Sequence, residues 1–539
     1  MEGTGDSPGV TGKRQVFIRD ATGLRRELST SDVFMFNVLC MGIAWAFIYI
    51  FFAAAAYPGA DLPMSMLLGL PPNLVIALLY YYLSVALPRT GGDYVWCTRL
   101  VHPAIGFMQS FAVVLFWLSY SGPVDAFLNS YGISGIFTNL SIATGNTDYL
   151  KLAAIINSPT SVLIGSLGVV VVVTLFAAFG LRNTFRFQWA TFIAMSIGVA
   201  AFAIALATSS PEIFKSNFNT FSGANYDGLI SAAHNAGFST DFTIGGTILG
   251  SLYAFTSYAG YNISAYLGGE VKQARKSQFI GIVIGVIVFG IVMTLLWAEM
   301  YWIMGGTFIS AVSQLASASN SAYTLPMAPV MSYLVMFANS SPIVGVLVPL
   351  SVIVLVIGSQ ETVMLFCVRI IFSWSFDGVT PAKLASVSDR NGSPNYALAV
   401  VAIIMGVYVL ISNFAAGALT VLAYTTSGIY LAVIAVGVAG ITLPYKHKEL
   451  FTGSPDVVQR KLGGVPIVAI LGFLTVIIGI FVAAIGASPI FTGAPVNPYY
   501  ILGMISIFIG GLLIYEISVH YQNRKGVEFS LRFKEIPPE

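Results

Sequence analysis

Twelve long runs of apolar residues divide this 539-residue chain, and they constrain its fold more than any other feature. Each run has about 20 residues or more, the length that a helix needs to cross the hydrocarbon core of a bilayer. In lipid a segment must satisfy its own backbone hydrogen bonds, which favours helices. We therefore predict an all-α integral membrane protein with 12 transmembrane helices, at residues 31–57, 63–87, 103–132, 159–181, 184–208, 244–268, 278–304, 342–373, 394–414, 417–441, 465–487 and 498–521.

The distribution of charge predicts the orientation of these helices. Only 9% of the residues are charged, against about 25% in soluble proteins. If the N-terminus is cytoplasmic, all of the 25 lysines and arginines except Lys151 and Lys215 lie on the cytoplasmic side or at its helix ends. This asymmetry follows the positive-inside rule. It predicts a multi-pass protein of the cell (plasma) membrane, with N- and C-termini cytoplasmic.

Two of the runs contain small residues near their middle. The first carries Gly42 within the stretch CMGIA, and the sixth carries Thr256, Ser257 and Gly260. Irregular backbone at membrane depth is tolerated only where it is buried in protein or lines a cavity. The pattern predicts broken helices 1 and 6, although small residues also allow ordinary close packing of helices.

The positions of the two breaks predict an inverted repeat. Residues 31–208 and 244–441 each hold five segments, and each break falls in the first segment of its unit. Because five is odd, the second unit enters the membrane from the opposite side, and paired breaks of this kind mark transporter binding sites.

The remaining parts of the chain follow from this division. They are a cytoplasmic tail at 1–30, an extracellular loop at 209–243, a cytoplasmic loop at 442–464, two extra C-terminal helices within 465–521 and a second cytoplasmic tail at 522–539. Residues 1–30 contain no apolar core with a cleavage site, so they do not read as a signal peptide.

Three stretches on predicted cytoplasmic loops carry a family resemblance. They are LPRTGGDYVWCTRLVHPAIGF after segment two, YAGYNISAYLGGEVKQARKS in and after segment six, and RIIFSWSFDGVTP followed by SDRNGSP at the end of segment eight. Together they resemble the amino acid-polyamine-organocation superfamily, close to the prokaryotic amino acid permeases with the leucine-transporter type of fold. The chain departs from the family pattern at Ile43, Ala44, Ala259 and Asn262, which leaves the substrate class open.

The resemblance implies a substrate site at the two breaks. Unwound backbone leaves amides and carbonyls without helical partners, and the N-terminus of a half-helix favours an anionic group. An amino acid carboxylate is expected on the amides of Gly42, Ile43 and Ala44, provided that Ile43 and Ala44 keep negative φ angles. The ammonium is expected on carbonyls around the second break. The predicted substrate-binding residues are Met41, Gly42, Ile43, Ala44, Tyr258, Ala259, Gly260 and Tyr261.

Several aromatic residues are candidates for shaping this site. Tyr258 occupies the position of the family's aromatic gate, which closes over substrate from the outside, and its alternative is interior packing. The candidates for a side-chain subsite, for each of which ordinary packing is the alternative and the more common use of such a residue, are Trp45, Trp117, Tyr120 and Tyr424.

Energisation has two candidate sites on segment eight. Ser359 and Thr362 share a helix face and could offer oxygens to Na⁺, or bond back to their own helix. Glu361 is a charged residue inside a span, so it is a functional candidate by default. The possible roles of Glu361 are a proton carrier, an ion ligand, a counter-charge for a cationic substrate and a structural hydrogen-bond donor that burial keeps protonated. Some related transporters use a lysine in segment five, but the counterpart here is Met195.

Asp125 and Glu299 lie toward the outer ends of their segments, where we expect a wet vestibule.

We predict no cofactor other than Na⁺ or H⁺ as a coupling ion, because no phosphate-binding motif or metal-ligand spacing occurs. No disulfide is expected, and the predicted partners are a small-molecule substrate and the lipid bilayer, with no nucleic acid.

The leading hypothesis is a secondary active transporter of amino acids or related small organic amines, working by alternating access. Alternatives are an amino acid exchanger and a transporter-like sensor or scaffold that docks a partner on the outer segment 305–341. No convergent catalytic side chains indicate an enzyme.

Overall fold

The computed structural model describes residues 26–239, 241–388, 392–414, 418–486, 498–525 and 529–533. Helices dominate these residues, and a two-residue hairpin, β1 (Lys461–Leu462) and β2 (Val465–Pro466), pairs antiparallel. The α-helices are α1 (Thr30–Met41), α2 (Ala46–Ala56), α3 (Leu62–Ala86), α4 (Asp93–Leu100), α5 (Pro103–Ser119), α6 (Ser121–Phe127), α7 (Ser134–Thr144), α8 (Asp148–Ile156), α9 (Pro159–Ala178), α10 (Leu181–Ala207), α11 (Pro211–Phe221), α12 (Tyr226–Asn235), α13 (Ile244–Tyr258), α14 (Ala274–Gln278), α15 (Gly285–Met300), α16 (Gly306–Ser317), α17 (Met331–Ala338), α18 (Pro342–Phe376), α19 (Asn395–Phe414), α20 (Ala418–Lys446), α21 (Lys448–Thr452), α22 (Ile467–Gly486) and α23 (Pro498–Arg524).

Within the described residues, 11 helical stretches are long and apolar enough to cross a membrane. This confirms an all-α, multi-pass membrane protein. The predicted sixth segment, 244–268, is not among the 11 because α13 ends at Tyr258 after 15 residues and short 3₁₀ turns follow it. The count of 12 helices and the inverted repeat remain predictions.

Both ends of the described chain lie at the same end of the helix bundle. Leu28 forms a β-bridge with Val271, and the Gln522 side chain donates a hydrogen bond of 2.9 Å to the carbonyl of Gly378. These contacts place both ends beside the loops that follow the predicted segments 244–268 and 342–373. We call this end the terminal face and the other end the opposite face.

Helix α18 forms the centre of the bundle, and α10 packs along it. Glycines allow the two backbones to approach closely, as is usual for membrane helices. A Cβ atom on Gly198 would lie 2.5 Å from the carbonyl oxygen of Leu347, and one on Gly358 would lie 2.7 Å from the Thr191 hydroxyl. This close contact fixes the faces that α10 and α18 present to each other.

The opposite face is covered by folded loops. α16 packs against α2, and α11 joins α16 and α17 through aromatic contacts, including Phe214 with Phe308 at 5.8 Å and Phe218 with Phe337 at 5.0 Å between ring centroids. The segment 305–341, predicted as an outer docking surface, is therefore largely interior, and most of its exposed residues lie within 317–326, with Thr307 and Ser340 outside that stretch.

Candidate substrate and coupling site

The first helix is interrupted at Gly42. α1 ends at Met41, Gly42 takes φ 69° and ψ 95°, and a 3₁₀ turn leads into α2. Positive φ favours glycine, and a Cβ atom here would lie 2.6 Å from the Trp45 ring and 2.7 Å from Leu355. Among the described residues, positive φ outside glycine occurs at Gln273 and Ser319, so Ile43 and Ala44 meet the backbone condition for their predicted role.

One predicted ligand group is already used at this break. The Gly42 amide donates a hydrogen bond of 2.8 Å to the carbonyl of Val38, because it caps the end of α1. In this conformation the Gly42 amide is therefore occupied by the chain itself, and its binding of a substrate carboxylate stays a prediction. The neighbouring Ile43 and Ala44 remain candidates.

The sixth predicted segment is interrupted between Ala259 and Asn262. Ala259 is extended, with ψ 131°, and Gly260 has φ 113°. The carbonyls of Gly260 and Asn262 accept backbone hydrogen bonds from Ile263 and Ala265. The carbonyls of Ala259 and Tyr261 accept none from the part of the chain that the structure describes. They can therefore serve a ligand that donates hydrogen bonds.

The two breaks touch each other. A Cβ atom on Gly260 would lie 2.8 Å from the Cys40 sulfur and 3.2 Å from the backbone nitrogen of Met41. Only glycine fits here, because its backbone needs positive φ and a side chain would collide with the first break. The structure thus brings together the two sets of residues that the sequence places about 220 positions apart.

A small cavity lies beside the second break, against α3, α5 and α20. The space inside it that is open to a water-sized sphere is about 20 Å³, which is room for about one water molecule. An amino acid can enter only if the surrounding side chains move apart. The lining residues are Tyr80, Val113, Trp117, Ala259, Gly260, Tyr261, Asn262, Tyr266, Ile429, Tyr430 and Val433.

Tyr258 does not line this cavity. Its ring packs against Phe289 on α15, and its hydroxyl donates to the carbonyl of Met66 on α3 at 3.2 Å. This is the packing alternative, since the last turn of α13 directs the side chain toward α3 and α15. Of the four subsite candidates, Trp117 lines the cavity, whereas the Tyr120 hydroxyl lies 2.9 Å from that of Thr426.

An aromatic group on the opposite-face side of the breaks was not predicted. Trp45 stacks on Tyr49 with ring centroids 5.7 Å apart, and Tyr49 meets Tyr253 of α13 edge to face at 5.8 Å. These rings join α2 to α13 and close the site from that side. The spacing of Trp45 and Tyr49, four residues apart on one helix face, was the available signal.

Two buried ion pairs close the terminal-face side. Arg99 of α4 holds both oxygens of Asp377 at 2.6 and 2.7 Å, and Arg369 of α18 holds both oxygens of Glu270 at 2.6 and 3.1 Å. Such two-point contacts are strong and directional. All four residues lie in the stretches that carry the family resemblance, but their pairing needed the fold. The pairs join α4, α18 and the turn after the second break.

Glu361 is fully buried on α18, and neither carboxylate oxygen has a hydrogen-bond partner within the described residues. Gly358, three residues earlier on the same face, lies against Thr191 of α10. Gln188 is three residues before Thr191 and is also fully buried with both polar atoms unpartnered. Because α10 and α18 run in opposite directions, Glu361 and Gln188 lie on facing surfaces. Gln188 was missed because a lone buried amide carries no sequence signal.

The hydroxyls of Ser359 and Thr362 bond back to their own helix. Ser359 donates to the carbonyl of Val356 at 3.2 Å, and Thr362 donates to the carbonyl of Ser359 at 2.6 Å. Thr362 also lies beside the Cys40 thiol. Across the described residues, no group of three or more His, Cys, Asp or Glu side chains could hold a metal ion.

The predicted wet vestibule does not include Asp125. This residue is fully buried on α6, and its carboxylate oxygens have no partner among the described residues. The prediction failed because α7 continues the third span to Thr144, beyond the predicted end at 132, so Asp125 is deeper than expected. Glu299 is partly exposed on α15.

A polytopic helical protein whose two interrupted helices meet beside a small cavity has the architecture of a membrane transporter. Residues 28–508 match the model of a family described as amino acid permease. The chain therefore belongs to the amino acid permease family, which lies within the superfamily that the sequence resembles.

The chain is also similar to uncharacterized protein 399 of Sulfolobus islandicus rod-shaped virus 1. It is 22% identical over 269 residues, which cover 49% of this chain and 53% of the relative. The chain thus matches about half the length of this curated relative.

Proposed function

We propose that this protein is a secondary active transporter that moves amino acids or related small organic amines across the plasma membrane by alternating access. The observation that carries the proposal is the contact between the two breaks, where Gly260 lies against Cys40 and Met41 beside a small cavity. Membership of the amino acid permease family supports the substrate class.

The two ends of an amino acid would bind different backbone groups. The ammonium donates hydrogen bonds, and the carbonyls of Ala259 and Tyr261 are suitable acceptors because the described chain leaves them unpaired. The carboxylate accepts hydrogen bonds and would bind the amides of Ile43 and Ala44 at the start of the half-helix α2. The substrate side chain would then extend toward Trp117 in the cavity.

Alternating access requires closure on both sides of this site, and both closures are present. The rings of Trp45, Tyr49 and Tyr253 lie on the opposite-face side. The ion pairs Arg99–Asp377 and Glu270–Arg369 lie on the terminal-face side. The structure is thus an occluded conformation, and each closure must open in turn. We assign the terminal face, with both chain ends, to the cytoplasm.

A proton is the coupling ion that the buried residues favour. An ionised carboxylate without partners is costly inside a protein, so Glu361 requires a proton or a cation in this conformation. For Na⁺, the hydroxyls of Ser359 and Thr362 still have lone pairs near the first break, although both hydroxyls already donate to carbonyls of their own helix.

The experiment is uptake of labelled amino acids into proteoliposomes, with and without a proton gradient, for the wild type, Gly260→Leu and Gly503→Leu. We expect Gly260→Leu to abolish binding and uptake because the side chain would fill the contact with Cys40. Gly503 on α23 has open space around it, so Gly503→Leu should keep most of its activity.

Two results would change the proposal. Equal loss in both folded variants would mean that the breaks serve packing alone. Uptake that needs no gradient but requires amino acid preloaded inside would make the protein an exchanger.

A further inference from the structure

Another buried carboxylate lies at the terminal face, between the membrane spans. Asp93 begins α4, and its side chain is fully buried. Its Oδ2 atom accepts hydrogen bonds from the Tyr80 hydroxyl at 3.0 Å, the Gln109 side-chain amide at 3.0 Å and the Tyr266 hydroxyl at 2.7 Å. The donors come from α3, α5 and the 3₁₀ turn after the second break. One carboxylate thus ties four elements together.

The same contacts connect Asp93 to the cavity. Tyr80 and Tyr266 both line the cavity beside Gly260 and point their hydroxyls at Asp93. The Tyr266 ring also stacks on Phe366 of α18, with centroids 5.1 Å apart. We call the part of the cavity wall formed by Tyr80 and Tyr266 the cavity floor. Asp93 lies directly behind this floor, so any movement of the floor changes the surroundings of Asp93.

No cation donates a hydrogen bond to Asp93 within the described residues. The nearby arginines of α4 and α18 are bound to their own acidic partners. The titratable and charged groups on the elements around Asp93 include Tyr80, Tyr81 and Tyr82 on α3, Arg89 before α4, Tyr94 and Cys97 on α4, Tyr261 and Tyr266 at and after the second break, Tyr430 and Lys446 on α20, His447 before α21, and the pairs Arg99–Asp377 and Glu270–Arg369.

Burial therefore dominates the ionisation of this group. It raises the pKa of Asp93 to about 6, while the hydroxyl and amide donors act in the opposite direction by stabilising the ionised form. A carboxyl with this pKa exchanges its proton in the range where many membrane gradients operate.

We propose that Asp93 is a proton-binding residue of the transport cycle, which takes up and releases one proton as the cavity floor closes and opens toward the terminal face. This inference rests on the proposed transport function and adds a site at the floor of the cavity to the one at Glu361. The proton binds a carboxylate oxygen and later leaves to water, and no other bond changes.

The direction in which opening of the floor changes proton binding at Asp93 follows from linkage between protonation and conformation. When the floor opens, water reaches Asp93, the penalty of burial falls, and its pKa moves toward the ordinary value of about 3.9. The proton is then released at the terminal face. Because the closed floor has the higher pKa, proton binding stabilises the closed floor relative to the open one.

The test is infrared titration of the purified full-length protein, which follows the C=O stretching band of a protonated carboxyl. We expect a band that titrates near pH 6 in the wild type and is absent in Asp93→Asn. In Tyr266→Phe the midpoint should move to higher pH, because the ionised form loses a donor. Tyr323→Phe is the matched control: it removes a hydroxyl that binds Met327, in the loop before α17, and should leave the midpoint unchanged.

Uptake separates this inference from the proposed function. Asp93→Asn should lose at least tenfold in proton-driven uptake while keeping exchange of preloaded substrate, whereas a purely structural role would reduce both equally. A band that persists in Asp93→Asn, or a midpoint that Tyr266→Phe does not move, would overturn the proposal. If Asp93→Asn does not fold, the shift of the titration midpoint in Tyr266→Phe tests the proposal instead. If the Asp93 band titrates as expected but the protein transports no substrate, the proton site is retained and the proposed transport function is refuted.

Discussion

Two buried carboxyl groups in this protein have opposite surroundings. Glu361, in the middle of α18, has no hydrogen-bond partner among the described residues, and Gln188 lies on the facing surface of α10. Asp93, at the terminal face, receives three donors from three elements. The comparison separates two settings for a buried acid: the proposed proton site at Asp93 also ties neighbouring elements together, whereas Glu361 makes no such tie and is left available for a proton or an ion.

The largest expected effect is the loss of proton-driven uptake when Glu361, which has no hydrogen-bond partner among the described residues, is changed. Glu361→Gln keeps the shape of the side chain but cannot ionise, so proton-driven uptake should fall at least tenfold while exchange continues. Proteoliposome uptake with an imposed pH gradient measures this. Glu299→Gln, at a partly exposed site on α15, is the control and should stay near wild type. Normal proton-driven uptake by Glu361→Gln would remove this residue from the coupling mechanism.

The second prediction is a difference in stability between the two sites. Asp93→Leu leaves three buried donors without an acceptor, at about 1–3 kcal/mol each, so the protein should unfold at a clearly lower temperature. Glu361→Met removes a carboxyl that makes no hydrogen bond in the described structure, so its stability should be within about 1 kcal/mol of wild type, or higher. Thermal unfolding in detergent compares the two variants. A larger loss for Glu361→Met would show that Glu361 has a structural partner.

The smallest expected effect is on the neighbours of Glu361. The hydroxyls of Ser359 and Thr362 already bond to their own helix, so the double variant Ser359→Ala, Thr362→Ala should lose only about 1 kcal/mol in stability. Its uptake should remain independent of Na⁺. A requirement for external Na⁺ in the wild type that weakens in this variant would instead favour a Na⁺ site between the first break and α18.

The sequence predicted the features that depend on backbone chemistry. Gly42 and Gly260 both have positive φ angles, and their positions within apolar runs were sufficient to predict the breaks. Side-chain directions were harder to predict because they depend on where a helix ends. Tyr258 is the last residue of α13, and its phase sends the ring toward α3 instead of the cavity.

Partners that are distant in the sequence were also missed. Asp93 and Tyr266 are 173 residues apart, and Arg99 and Asp377 are 278 apart. Composition and spacing carry no information on such contacts, and only the packing of α3, α4, α5 and α18 brings them together. Asp93 was visible in the quoted stretch after segment two, but nothing in the sequence distinguished it from a surface acid.

The small size of the cavity determines what a binding measurement on this protein reports. A space of about 20 Å³ cannot admit an amino acid, so every ligand must wait for a less populated, expanded conformation. The apparent dissociation constant is then the intrinsic one divided by the fraction of molecules in that conformation. If about 1% of the molecules are expanded, a substrate with good contacts appears about 100-fold weaker than its contacts imply. A weak apparent affinity would therefore reflect the free energy of expansion as much as the quality of the contacts.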